Sequence, residues 1–124
     1  MLCIQLLAKG AYRLAPLYDV FSAYPLIASK QLELQKIKLS MAWLGKNKHY
    51  KWDQVKYRHF LTTAKKTNYS VNSAEKIVAD MLSNVDHVIE TVSASLPKNF
   101  PTPISEPIFY GLLKTKKKIM QGLE

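Results

Sequence analysis

The chain has 124 residues, 48% of them hydrophobic and 22% charged, a balance that fits one globular domain and excludes a disordered chain. No uncharged apolar run approaches the ~20 residues that span a bilayer, so no membrane partner is expected. Lysine and arginine number 18 against 9 acidic residues, and the net charge of +9 favours contact with nucleic acid, other phosphates or an acidic partner.

The N-terminal segment reads as a β-hairpin. Leu2, Ile4 and Leu6 alternate with Cys3, Gln5 and Leu7, Lys9-Gly10 supplies a turn, and Ala11 to Leu14 returns. Pro16 stops the second strand because it has no N–H for a ladder. Met1 to Ala8 is too short and too poor in leading positive charge for a signal peptide. Cys3 is the single cysteine, which excludes an internal disulfide framework and a cysteine-built zinc site. A soluble, cytoplasmic protein of a reducing compartment is the expectation.

Leu17 to Pro25 places Asp19 among Tyr18, Phe21 and Tyr24. An acid among aromatics at a strand exit reads either as a turn-capping residue or as part of a site. Residues 26–36 carry no clear pattern. Ile37 to Trp43 is a candidate strand, Gly45 to Lys48 a turn, and His49 to Trp52 the return strand of a second hairpin. Asp53 is a candidate N-cap for a short helix. A longer helix is predicted over Lys56 to Thr67, with Tyr57, Phe60, Leu61 and Ala64 on one face.

The strongest periodic signal runs from Val71 to Leu96. Val71, Ala74, Val78, Met81, Val85, Val88 and Val92 step by three and four residues. The pattern predicts a helix capped by Ser70 or Asn72 and ended by Pro97, with Val78, Met81, Val85, Val88 and Val92 buried on one face. A last helix is predicted from Ser105 to Gln121, with Pro107 accommodated in its first turn. Ile108, Leu112, Ile119 and Leu123 are its expected core positions. Lys114, Lys116, Lys117 and Lys118 crowd its final turns, where cations suit the negative end of the dipole.

The histidines His49, His59 and His87 are far apart in the chain and lack metal-site spacing, so they read as surface or half-buried side chains. The serines sit in no nucleophile elbow, and the four glycines form no phosphate loop. Two basic clusters, Lys46 to Lys66 and Lys114 to Lys118, read either as solvated faces or as phosphate contacts. Without a recognition helix beside them, any DNA contact is expected to be weak and non-specific.

Tyr12-Arg13-Leu14-Ala15-Pro16-Leu17-Tyr18-Asp19-Val20-Phe21-Ser22-Ala23-Tyr24-Pro25 resembles the end of the catalytic core in HipA-type toxin kinases, the serine/threonine kinases of bacterial toxin–antitoxin modules. Lys38-Leu39-Ser40-Met41-Ala42 resembles the family's K-L-A-M strand. Arg58-His59-Phe60-Leu61 with Thr63-Ala64-Lys65 resembles its R-H-F-L-x-T-A-K helix, and Ser95-Leu96-Pro97 the turn before its final helix.

The resemblance implies a mostly α (α+β) fold, the C-terminal helical lobe of a HipA-like kinase with a short N-terminal β-hairpin, as a single domain over 1–124. It implies that Asp19 is a magnesium ligand bridging to ATP phosphates. It also marks a departure. Leu2-Cys3-Ile4 stands where the family has F-S-I, so Met1 falls on the metal-binding Asn. The catalytic base, the phosphate cover and the ATP-anchoring lysine would lie upstream. The implied function is a truncated lobe without independent kinase activity and with no catalytic residue of its own. Mg would then bind only if a missing N-terminal lobe completes the site. The alternatives are one half of a split kinase, completed by an N-terminal kinase lobe on another chain, or a module that binds a HipB-like antitoxin and DNA.

Overall fold

The computed structural model describes residues 4–16 and 21–122. Over these residues the protein is mostly helical, with two short antiparallel sheets of two strands each. Strands β1 (Ile4–Leu6) and β2 (Tyr12–Leu14) form the expected first hairpin, with Gln5 opposite Arg13. Arg13 Nε donates to Gln5 Oε1 at 3.0 Å across that pair. The connection is a 3-10 turn, Ala8–Gly10, in which Lys9 and Gly10 both take positive φ (61° and 76°). Gly10 adopts this region without steric cost, which fits it to the turn.

Helix α1 (Tyr24–Ala28) and a 3-10 turn (Leu34–Lys36) occupy the segment that showed no pattern in sequence. Strands β3 (Lys38–Leu44) and β4 (Lys48–Lys51) form the second hairpin. Its register shifts between Lys38 and Trp43, so the strand is irregular in its middle. A 3-10 turn, Trp52–Gln54, then leads to helix α2 (Tyr57–Lys66). Asp53 lies inside that turn rather than capping a helix, which corrects its expected role.

Helix α3 (Val71–Ser95) begins at its expected cap: the Ser70 hydroxyl accepts from the Ser73 N–H at 3.2 Å. Helix α4 (Thr102–Met120) starts three residues before the expected Ser105. Pro107 therefore sits inside the helix and not in its first turn. Proline has no N–H, so the Pro103 carbonyl loses its helical donor there.

Helix α2 packs on β3 and on α3; α4 packs on α1 and on α3. The hydrophobic side chains buried among the described residues, Val55, Ala64 and Ile119, come from the approach to α2, from α2 and from α4. The expected burial on α3 is corrected. Val78 and Val85 are half-buried, with Leu82 and Ile89 beside them, but Val88 and Val92 are exposed and Met81 is 68% exposed. The apolar arc of α3 is wider than the strip its neighbours cover. On α4, Ile119 is buried and Ile108 half-buried as expected, whereas Leu112 is exposed and Gly111 takes the buried position. Leu123 lies outside the described residues.

The first hairpin makes no extensive contact with another described element, and Leu6, Tyr12 and Leu14 on it are exposed. Leu6 and Phe21 are each 85% exposed. No helix among the described residues is long and apolar enough to cross a membrane.

Candidate functional site

Among the described residues, a concavity forms where α1, β3, the Trp52–Gln54 turn and α4 converge. Its volume is about 880 Å³, and aromatic rings from Tyr24, Trp43, Trp52 and Phe60 line it. The rings come from four different elements, which is why no local sequence motif marks the site. Trp43 and Phe60 meet edge to face at 4.5 Å, and Tyr24 and Trp52 are tilted at 5.0 Å, geometries that aromatic quadrupoles favour.

The position of Tyr24 depends on α4. Its hydroxyl and the Thr115 hydroxyl are 2.6 Å apart, within hydrogen-bond distance. Its ring lies over Gly111, where an added Cβ would stand 2.5 Å from ring carbons. A residue without a side chain is what lets α4 approach α1 this closely.

The polar wall is made by Asp53 and Lys118. Lys118 Nζ donates to the Asp53 backbone carbonyl, which ties α4 to the turn before α2. Burial pushes the Lys118 ammonium below its ordinary pKa, and the Asp53 charge partly opposes that shift. Asp53 Oδ1 is buried, and among the described residues nothing donates to it. The lysine cluster at the end of α4 is thus more than a complement to the helix dipole. Lys118 holds the cavity wall, and Lys116 pairs with Asp86 of α3.

Of the histidines, His49 is half-buried and His87 exposed, in keeping with their sequence reading, whereas His59 is buried. His59, on α2, is 3% exposed and stacks on His49 of β4, with centroids 3.9 Å apart. His59 Nδ1 accepts the Lys56 N–H at 3.1 Å. An added Cβ at Gly45 would meet His49 Nε2 at 2.6 Å, so Gly45 leaves the space for the stack. Thr63 holds the same region together: the Leu44 N–H donates to its Oγ1 at 2.8 Å, and its hydroxyl donates to the His59 carbonyl at 2.7 Å. The described residues contain no cluster of three or more His, Cys, Asp or Glu side chains suited to a metal ion.

Asp19, the expected magnesium ligand, lies outside the described residues, within 17–20. The other segments of the resemblance fall on β3, on α2 and on the junction between α3 and α4. The basic residues of the first cluster are exposed. Lys66 Nζ donates to the Gly45 carbonyl at 2.7 Å, which brings the end of α2, with Lys65, to the β3–β4 turn that carries Lys46 and Lys48. No family model matches the sequence.

Proposed function

We propose that the chain is the C-terminal lobe of a HipA-type kinase from a bacterial, cytoplasmic toxin–antitoxin module. It works by docking onto a second lobe and carries out no phosphoryl transfer by itself. The observation that carries this reading is the first hairpin. An isolated two-stranded ribbon is marginal in water, and here Leu6, Tyr12 and Leu14 face solvent with Phe21 close behind in the chain. A neighbouring lobe that covers these side chains would remove apolar surface from water and support the ribbon. The order of the matched segments, strand then helix then interhelical turn, also supports it.

On this reading Asp19 supplies one carboxylate for Mg. The lobe that docks on the hairpin supplies the base, the second metal-holding residue and the groups that fix ATP. Phosphoryl transfer needs those parts together, because it rests on positioning and charge neutralisation. The basic group at the β3–β4 turn and the end of α2 favours an auxiliary, salt-sensitive contact with DNA or with an acidic surface of a HipB-like antitoxin.

Association with a separately expressed HipA-type N-terminal lobe tests the reading by calorimetry. The expected result is a saturable complex that Leu14→Glu weakens at least about tenfold, since it places a charge in a desolvated contact. The same substitution leaves the thermal unfolding of the isolated chain unchanged, because Leu14 is exposed there. A complex indifferent to Leu14→Glu and to Leu6→Glu would contradict docking through the hairpin.

A further inference from the structure

We propose that the outward face of the β3–β4 hairpin is a docking surface for an unpaired nucleic-acid strand, with a base stacked on Tyr50 and the flanking phosphates held by Lys46 and Lys48. These residues belong to the basic group already described. The first hairpin has no part in the contact, so it stands apart from the kinase-lobe reading.

Packing sets the two faces of the hairpin. Trp43 meets Phe60 of α2, and His49, paired with Trp43 in the register, stacks on His59 of the same helix. Side chains alternate along a strand, so Lys48 and Tyr50, on either side of His49, stand on the face turned away from α2. Both are exposed. Among the described residues, α2 is the helix that packs extensively on β3, and it covers the other face.

The sheet is irregular at this place. Between the pairs Lys38–Lys51 and Trp43–His49, residues 39–42 of β3 stand across from Tyr50 alone. Such a bulge breaks the ladder and re-aims side chains. Here Tyr50 is left 43% exposed and Met41, in the bulged stretch, 78% exposed.

Charge surrounds this apolar spot. Between residues 37 and 66 the sequence carries eight lysines and arginines against one acid. All eight are exposed, whereas the acid, Asp53, is half-buried on the cavity wall. Lys46 and Lys48 flank the turn beside Tyr50, and the bond from Lys66 to the Gly45 carbonyl brings Lys65 to the same end.

The combination selects the partner. Lysines hold phosphates, and an open aromatic ring stacks with any base, because every base has a π-face. A duplex presents phosphates at higher charge density but keeps its bases stacked inside, out of reach of Tyr50. An acidic peptide matches the charge and leaves the ring unused. Stacking and phosphate contact are tolerant of base sequence, so the binding is general for single strands.

Fluorescence anisotropy of the purified chain tests this, with a labelled oligothymidine of about 15 nucleotides, a duplex of equal length and polyglutamate at one salt concentration. The strand is expected to bind about fivefold tighter than the duplex, the reverse of the order that charge density alone gives. Tyr50→Ala weakens the strand about tenfold and leaves the duplex unchanged, whereas Tyr50→Phe keeps the affinity. Lys46→Gln combined with Lys48→Gln reduces the slope of log K against log salt by about 1.4, the share of two phosphates on a single strand. All three side chains are exposed, so thermal unfolding of the variants stays close to that of the parent chain. A duplex or polyglutamate bound as tightly as the strand, or strand binding indifferent to Tyr50→Ala, would each overturn the proposal. Any of these results leaves the Leu14→Glu test of docking through the first hairpin untouched.

Discussion

The imidazoles of His49 and His59 stack with their centroids 3.9 Å apart and their planes 14° from parallel. The pair joins β4 to α2 at a point where His59 is almost wholly removed from solvent. Burial pushes His59 below its ordinary pKa; the nearby His49, Arg58, Lys56 and Lys118 push in the same direction.

That environment makes stability depend on pH with a definite sign. The folded state holds His59 neutral, while the unfolded chain protonates it near the ordinary value of about 6.5. Its contribution is therefore fully present above that value and is lost as pH falls through it toward the lower folded pKa. The melting temperature should fall between about pH 7.5 and 5.5. His59→Gln should be less stable at the upper pH but show a shallower dependence. An equal slope in both proteins would place the titration elsewhere.

The approach of α4 to α1 rests on Gly111. Gly111→Ala should cost about 1–3 kcal/mol, because the new Cβ meets the Tyr24 ring at 2.5 Å and the site is already packed. In a Tyr24→Ala background the same substitution should cost much less, since the obstructing ring is gone. A double-mutant cycle from chemical denaturation checks this. Additive effects would mean that the two residues do not meet.

Much of the fold was legible in the sequence. Both hairpins follow from short apolar runs divided by Lys9-Gly10 and by Gly45 to Lys48, and α3 from its three- and four-residue steps with Ser70 as cap. Facing was harder to read. Periodicity identifies an apolar arc, but the arc of α3 includes Ile77, Met81 and Val88, which its neighbours leave uncovered. The start of α4 is not legible, because Pro107 reads as a first-turn residue while Pro103 already occupies that turn. The cavity was not legible at all. Tyr24, Trp43, Trp52 and Phe60 are spread along the chain, and the orphaned acceptor at Asp53 exists only once α4 has packed. The histidine stack was hidden for the same reason.

Met81, expected to be buried, lies on the exposed edge of α3. Met81→Asp should change stability by less than about 0.5 kcal/mol, as surface substitutions usually do. Leu82→Asp, on the half-buried strip, should cost several times more. Thermal unfolding of the two variants side by side checks the assignment. A larger loss at position 81 would mean that the strip facing α2 and α4 is the other one.

A kinase lobe of the proposed kind needs a partner for its chemistry. Transfer of labelled γ-phosphate from ATP with Mg tests it most directly, with the chain alone, with a HipA-type N-terminal lobe added, and with Asp19→Asn in that mixture. No label should be incorporated by the chain alone, and ATP-dependent phosphorylation should appear in the mixture. Asp19→Asn should abolish that activity, because the amide lacks the charge that holds the metal. Autophosphorylation by the isolated chain, or activity in the mixture that ignores Asp19→Asn, would contradict it.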